Sequence, residues 1–235
     1  MINHKLTKTE IVNKVFDDVY NKYDLMNDIM SLGTHRLWKK ALVSWINPRS
    51  HSKVLDVAAG TGDIGRLCSK YTNNKCDITC VEPNRKMLGV GEKKLINFKN
   101  IKWILSSAEK LPFENNTFDF YVISFGIRNV TDINKSLSEA YRVLKNGGRF
   151  FCLEFSKVEN EILNQLYKNY SKLIPTIGKF IVGDKKPYNY LVESIEKFYT
   201  QDEFSEIISK NKFSKIEYRN LSNGVASIHS SWKIE

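Results

Sequence analysis

Between Lys53 and Phe155 five short apolar runs alternate with helical patterns, and no other feature of the sequence narrows its fold as far. The runs are KVLDVAA (Lys53–Ala59), DITCVE (Asp77–Glu82), IKWIL (Ile101–Leu105), FDFYVISF (Phe118–Phe125) and RFFCLEF (Arg149–Phe155). Each is rich in β-branched and aromatic residues and bounded by turn residues, as buried parallel strands are. Ahead of the last run, Leu137, Ala140, Tyr141 and Leu144 recur with helical spacing, with Asp132 as a cap and Gly147 past the end. That pattern predicts a crossover helix. Strand, helix and strand in alternation build a parallel sheet with helices on both faces, an α/β Rossmann-like architecture.

At 235 residues the chain suits a single domain with segments added to this core over 51–155. Residues 1–50 read as a helical cap, with apolar positions at Phe16, Val19, Tyr20 and Tyr23 and a polar turn from Asn47 to Ser52. Residues 156–200 read as an insertion: a helical stretch from Glu159 to Leu173, a turn from Pro175 to Gly178, and a Lys-rich loop through Pro187. Its expected place is over the carboxyl edge of the sheet, where ligands of open α/β folds bind. In residues 201–235 a helix near Asp202 to Lys210 precedes two runs, FSKIEYRN and GVASIHSSWKI, that would complete the sheet as an antiparallel pair.

Hydrophobic residues are 42% and charged residues 26% of the chain, enough apolar side chains for a core, so disorder is not expected. No apolar run approaches the roughly 18 residues of a membrane span, and the polar start lacks the apolar stretch of a secretory signal. A cytoplasmic protein is expected. Cys68, Cys76, Cys80 and Cys152 are too few for a disulfide framework and lack the second pair a zinc site requires, so no metal is expected. A net charge of +10 suits an anionic partner, but no block of like charges or basic-aromatic ladder appears. A solvated lysine-rich surface is the simpler account, and no nucleic-acid partner is expected.

The first run enters Asp56-Val57-Ala58-Ala59-Gly60-Thr61-Gly62-Asp63-Ile64-Gly65, a strand-to-helix turn whose small residues let a ligand approach the backbone. Gly60, Gly62 and Gly65 satisfy the dinucleotide pattern literally. Yet Asp56 before the loop and Asp63 after it would repel a pyrophosphate and attract a ligand carrying an ammonium and a sulfonium. S-adenosylmethionine carries both. Glu82, ending the second run, could accept hydrogen bonds from its ribose, and Ser107 with Ala108, after the third, could meet its adenine.

Several segments resemble the ubiquinone/menaquinone biosynthesis C-methyltransferases. They are KYDLMND (Lys22–Asp28), HRLWK (His35–Lys39), LDVAAGTGD (Leu55–Asp63), ISFGIRNVTD (Ile123–Asp132), YRVLK (Tyr141–Lys145), LEFSK (Leu153–Lys157), YLVESI (Tyr190–Ile195) and the stretch from Gly224 to His229. The resemblance spans nearly the whole chain in order. It implies a class I S-adenosylmethionine-dependent methyltransferase fold, a seven-stranded sheet with one antiparallel strand, acting on a ring carbon of a polyprenyl benzoquinol or of demethylmenaquinol. Carried over by motif, it places cofactor contacts at Thr61, Glu82, Ser107, Ala108 and Ser124. The family more often has glycine at the position of Ala59 and aspartate at that of Glu82; Glu82 keeps the carboxylate with a longer reach.

Carbon methylation of a quinol requires loss of a ring-hydroxyl proton, stabilisation of the phenolate and alignment with the donor methyl. Arg128 and Asn129, just beyond the fourth run, are the candidates: a guanidinium to stabilise the phenolate, being too basic to act as a direct base, and an amide to orient the ring. A structural pairing of Arg128 with an acid such as Asp132 is the alternative. Tyr23, Tyr188, Tyr190 and His229 are candidates to line the acceptor pocket. Because a prenyl tail comes from a bilayer, Leu173, Ile174, Ile177, Phe180 and Ile181, beside Lys179, Lys185 and Lys186, suggest a peripheral membrane contact. The same residues could cap the pocket or form a contact in a homodimer or a biosynthetic complex. A methyltransferase of another small aromatic or lipid acceptor, an NAD-dependent oxidoreductase and a basic nucleic-acid-binding module are the competing readings.

Overall fold

A computed structural model describes residues 7–20, 23–158, 161–182 and 185–234, apart from the side chains of some helical residues. Its centre is a seven-stranded sheet: β1 (Lys53–Val57), β2 (Asp77–Val81), β3 (Ile101–Ile104), β4 (Phe118–Ser124), β5 (Leu144–Phe155), β6 (Ser214–Leu221) and β7 (Ala226–Trp232), in the order β3-β2-β1-β4-β5-β7-β6. The first five are parallel, and β7 runs antiparallel to both of its neighbours. All five expected core strands are present, as is the closing pair. β5 begins five residues earlier than the apolar run, because Leu144 pairs with Phe118 across an irregularity before Arg149 joins Phe120.

Nine helices are assigned among the described residues: α1 (Lys8–Val19), α2 (Tyr23–Ser31), α3 (His35–Ile46), α4 (Asp63–Tyr71), α5 (Arg85–Lys94), α6 (Ile133–Val143), α7 (Glu161–Val182), α8 (Lys186–Glu196) and α9 (Gln201–Lys210). The pleat sends alternate residues to opposite faces. Val54, Phe151 and Leu153 join Trp38, Leu42, Ile174 and Tyr188 on the side of α3, α7 and α8, whereas Leu55, Phe150 and Cys152 join Leu137, Ala140, Phe204 and Ile208 on the side of α6 and α9. All four cysteines are buried free thiols within these two cores.

Two expectations for the insertion are corrected. Pro175 and Gly178 form no turn; α7 runs through them, and proline there forfeits a main-chain N–H while the apolar face stays packed, with Ile174 fully buried. Of the expected Lys-rich loop, Lys179–Val182 end α7 and Lys186 and Pro187 begin α8, with Pro187 in the first turn, where its fixed φ suits a helix; residues 183–184 lie outside the described residues. No helix among the described residues is long and apolar enough to cross a membrane.

Helices α1, α3 and α8 gather over the carboxyl edge. Lys8 Nζ of α1 donates to the Val130 carbonyl at 2.6 Å, and Asp17 Oδ1 accepts from Asn84 Nδ2 at 2.8 Å. Trp38 of α3 donates through Nε1 to Ser222 Oγ at 3.0 Å and lies edge-on to Phe155.

Candidate active site

The chain turns sharply after β1. Ala58 takes φ +52 and Gly62 φ +80, the left-handed region that favours glycine. A Cβ on Gly62 would lie 2.6 Å from Leu95 Cδ1, and one on Gly65 would lie 2.8 Å from Cys80 Sγ. The glycine pattern that mimics a dinucleotide loop is therefore required here by backbone handedness and by the close seating of α4 on β2.

Two carboxylates are buried beside this turn. Asp56 Oδ2 accepts from the Gly65 amide at 3.0 Å, while Oδ1 is buried with no hydrogen-bond partner. Glu82 Oε2 accepts from the Gly60 amide at 2.8 Å and Oε1 from the Asn84 amide at 2.9 Å. Burial pushes both acids up to about 7. Asp63 is different. Burial opposes its ionisation, yet Lys39 at 2.8 Å and Lys94 at 3.1 Å hold its carboxyl well below the usual range, with Arg66 at 3.7 Å. Its charge is answered by the protein's own cations, so the attraction expected for a cationic ligand falls to Asp56 and Glu82.

A cavity of about 350 Å³ opens at this edge. Gly60, Glu82, Ser107 and Ala108 line it from the loops after β1, β2 and β3; Phe125, Gly126 and Asn129 from beyond β4; and Val12, Asn13 and Phe16 from α1. Sharing Ala58 as a wall, a smaller cavity of about 20 Å³ is lined by Lys39, Asp56, Thr61, Asp63 and Ser124. Thr61 Oγ1 accepts from Lys94 Nζ at 3.1 Å, and Ser124 Oγ is buried without a partner. Seven of the eight residues expected to contact a cofactor thus line one cavity or the other, and the eighth, Gly62, shapes the turn between them. The unpartnered Asp56 Oδ1 and Ser124 Oγ, with the Glu82 carboxylate, fit a ligand carrying an ammonium group at one end and ribose hydroxyls at the other.

The acceptor candidates divide. Asn129 lies on the cavity wall and its Oδ1 accepts from Tyr190 OH at 3.1 Å. Arg128 does not reach the wall. It is 7% exposed, its Nη1 donates to Glu154 Oε1 at 2.5 Å and to the Phe125 carbonyl at 2.9 Å, and its Nε is buried unpartnered. Arg128 thus forms a buried ion pair, and its acid is Glu154 of β5 rather than Asp132. Tyr188, on α8, is fully buried in the core and does not line the cavity. His229 sits within β7, Nε2 2.9 Å from the Gln201 carbonyl and the ring edge-on to Phe204, off the cavity walls; burial drives it down to about 4, which favours the neutral ring. The Tyr23 side chain lies outside the described residues. Met87, Asn84 and the α1 residues Val12, Asn13 and Phe16 were not anticipated; their signal was the shared helical face of α1 and the cap position of Asn84, whose Oδ1 accepts from the Lys86 and Met87 amides. Among the described residues, no group of three or more His, Cys, Asp or Glu side chains is placed to hold a metal.

The fold and the paired cavities define a class I S-adenosylmethionine-dependent methyltransferase. A solved S-adenosylmethionine-dependent methyltransferase from Thermotoga maritima superposes with a TM-score of 0.67 over 94% of this chain and 99% of that one, at 18% identity. A family model described as the ubiE/COQ5 methyltransferase family matches residues 3–233, and the chain belongs to that family. Among its relatives are two proteins named ubiquinone/menaquinone biosynthesis C-methyltransferase UbiE. The one from Rickettsia bellii is 50% identical over 97% of this chain and 94% of its own length, and the one from Brucella suis is 49% identical over 97% and 87%.

Proposed function

We propose that the protein methylates a ring carbon of a polyprenyl benzoquinol, of demethylmenaquinol, or of both. Near-full-length kinship with ubiquinone/menaquinone C-methyltransferases carries this reading. The bound cofactor supplies an electrophilic methyl group on a sulfonium. Glu82 holds the ribose hydroxyls and Asp56 the ammonium, while Ser107 and Ala108 frame the adenine. Asn129, oriented by the Tyr190 hydroxyl, presents its amide to the ring oxygen as the phenolate forms. Arg128 acts from behind the wall, fixing the turn through the Phe125 carbonyl and Glu154. Phe16, Val12 and Phe125 exclude water, which strengthens each of these polar contacts.

Methyl transfer to short-chain benzoquinol and naphthoquinol acceptors, each reduced and oxidised, tests the proposal. Turnover with at least one reduced acceptor and none with oxidised forms is expected; no turnover with either quinol overturns it. Leu173 of α7 is 59% exposed, and Lys185 and Lys186 at the start of α8 are exposed, which supports a peripheral contact with an anionic bilayer at the inner face of a membrane. Ile174 is fully buried and takes no part, and the side chains of Ile177, Lys179, Phe180 and Ile181 lie outside the described residues. Co-sedimentation with anionic but not neutral vesicles is the expected result.

A further inference from the structure

The methionine end of the cofactor is a zwitterion, and a desolvated zwitterion requires a partner for each charge. Acids near the glycine turn account for the ammonium alone. We propose that Lys39 binds the α-carboxylate of S-adenosylmethionine in the small cavity, opposite Asp56. The inference rests on the cofactor assignment above.

Two cations line the cavities, and they are unlike. Lys135 is exposed on α6, at the main cavity, whereas Lys39 projects from α3 with 6% of its surface exposed and lines the small cavity together with Asp56, Thr61 and Ser124. Pairing with Asp63 does not by itself explain that burial. Asp63 also has Lys94 at 3.1 Å and Arg66 at 3.7 Å, so its charge is met without a third cation. A buried ion pair gains little over what desolvation costs. Among the described residues Asp63 is the one hydrogen-bond partner of the Lys39 ammonium, at 2.8 Å, which leaves two of its three N–H donors. Asp56 Oδ1 and Ser124 Oγ, buried and unpartnered in the same cavity, complete a set with one cation, one carboxylate oxygen and one hydroxyl. An α-amino acid group answers that set: its carboxylate takes Lys39 and Ser124, its ammonium takes Asp56. Because Ala58 separates this cavity from the one holding Glu82, Ser107 and Ala108, the amino-acid and nucleoside ends are recognised by different walls.

The test is calorimetric titration of the full chain with S-adenosylhomocysteine, which carries the amino-acid end, and with 5′-methylthioadenosine, which lacks it. Lys39→Met is expected to weaken the first by about 10-fold or more while leaving the second within about 2-fold of wild type. Lys39→Arg keeps the charge and is expected to fall between; Lys39→Gln serves if the methionine variant does not fold, with a thermal melt as the control. Decarboxylated S-adenosylmethionine should bind Lys39→Met as it binds wild type, and Asp56→Asn more weakly. Equal loss of both thioether ligands, or loss of neither, overturns the assignment. Wild-type protein that binds neither ligand overturns it too, and the cofactor reading with it.

Discussion

Asp56 and Glu82 are buried acids that accept hydrogen bonds from main-chain amides of the glycine turn and its neighbourhood. Both have folded values near 7, above unfolded values near 3.8 and 4.5, so the folded state holds more protons across that interval. Stability from these groups is therefore greatest below the unfolded values and declines as pH rises toward 7. A cationic ligand reverses the preference by favouring ionised Asp56. Binding of S-adenosylmethionine at pH 6.5 should release protons, seen as a binding heat that changes with the buffer's ionisation enthalpy; a buffer-independent heat would contradict the pairing. Arg128→Ala strands Glu154 as an unpaired buried acid and should cost roughly 3–5 kcal/mol of stability, while Arg128→Ala with Glu154→Gln recovers part of it in thermal melts. Turnover of the single variant is thus to be measured well below its melting point. Glu82 was legible because it closes the second apolar run, Asp56 because it is the one acid inside the first, and Asn129 because it follows shortly after the end of β4. The neutralisation of Asp63 was not, since Lys39 and Lys94 arrive from helices 24 and 31 positions away. His229 could have been assigned to the core by its alternation with Ile228 along β7, which faces the opposite side.

Helix boundaries followed the side chains that close them. Thr200 and Glu203 form a capping box at the start of α9, and Thr200→Ala should cost about 1 kcal/mol in chemical denaturation. At α7 the local signal misled: proline and glycine three residues apart read as a turn, but the packing of Ile174 and Ser171 against the core outweighs the missing hydrogen bond. Pro175→Ala should accordingly raise stability by about 1–3 kcal/mol, with a higher melting temperature as the readout; a lower one would mean that a bend at Pro175 is needed for α7 to pack. The α1 face bearing Val12, Asn13 and Phe16 was recognisable as helical, but that it lies across the cavity depends on Lys8 reaching Val130 and Asp17 reaching Asn84, contacts between residues distant in the chain.

At the scale of the whole molecule, the α/β class was readable because alternation of strand and helix is a local pattern, whereas the place of β7 is set by pairing at long range. The last strand in chain order lies inside the sheet, joining β5 to β6. Lys233 secures it: its amide donates to the Gly148 carbonyl at 3.0 Å, its carbonyl accepts from Gly147 at 2.8 Å, and its ammonium reaches the Leu144 carbonyl at 3.0 Å. During synthesis the edge of β5 from Arg149 to Phe155 has no neighbour on that side until residues 226–232 have left the ribosome. A nascent chain thus carries a long, apolar, ready-to-pair rim while residues 156–225 are being made, the kind of template on which aggregation begins. Slow decoding or early termination before residues 226–232 should consequently yield insoluble product rather than a smaller working enzyme.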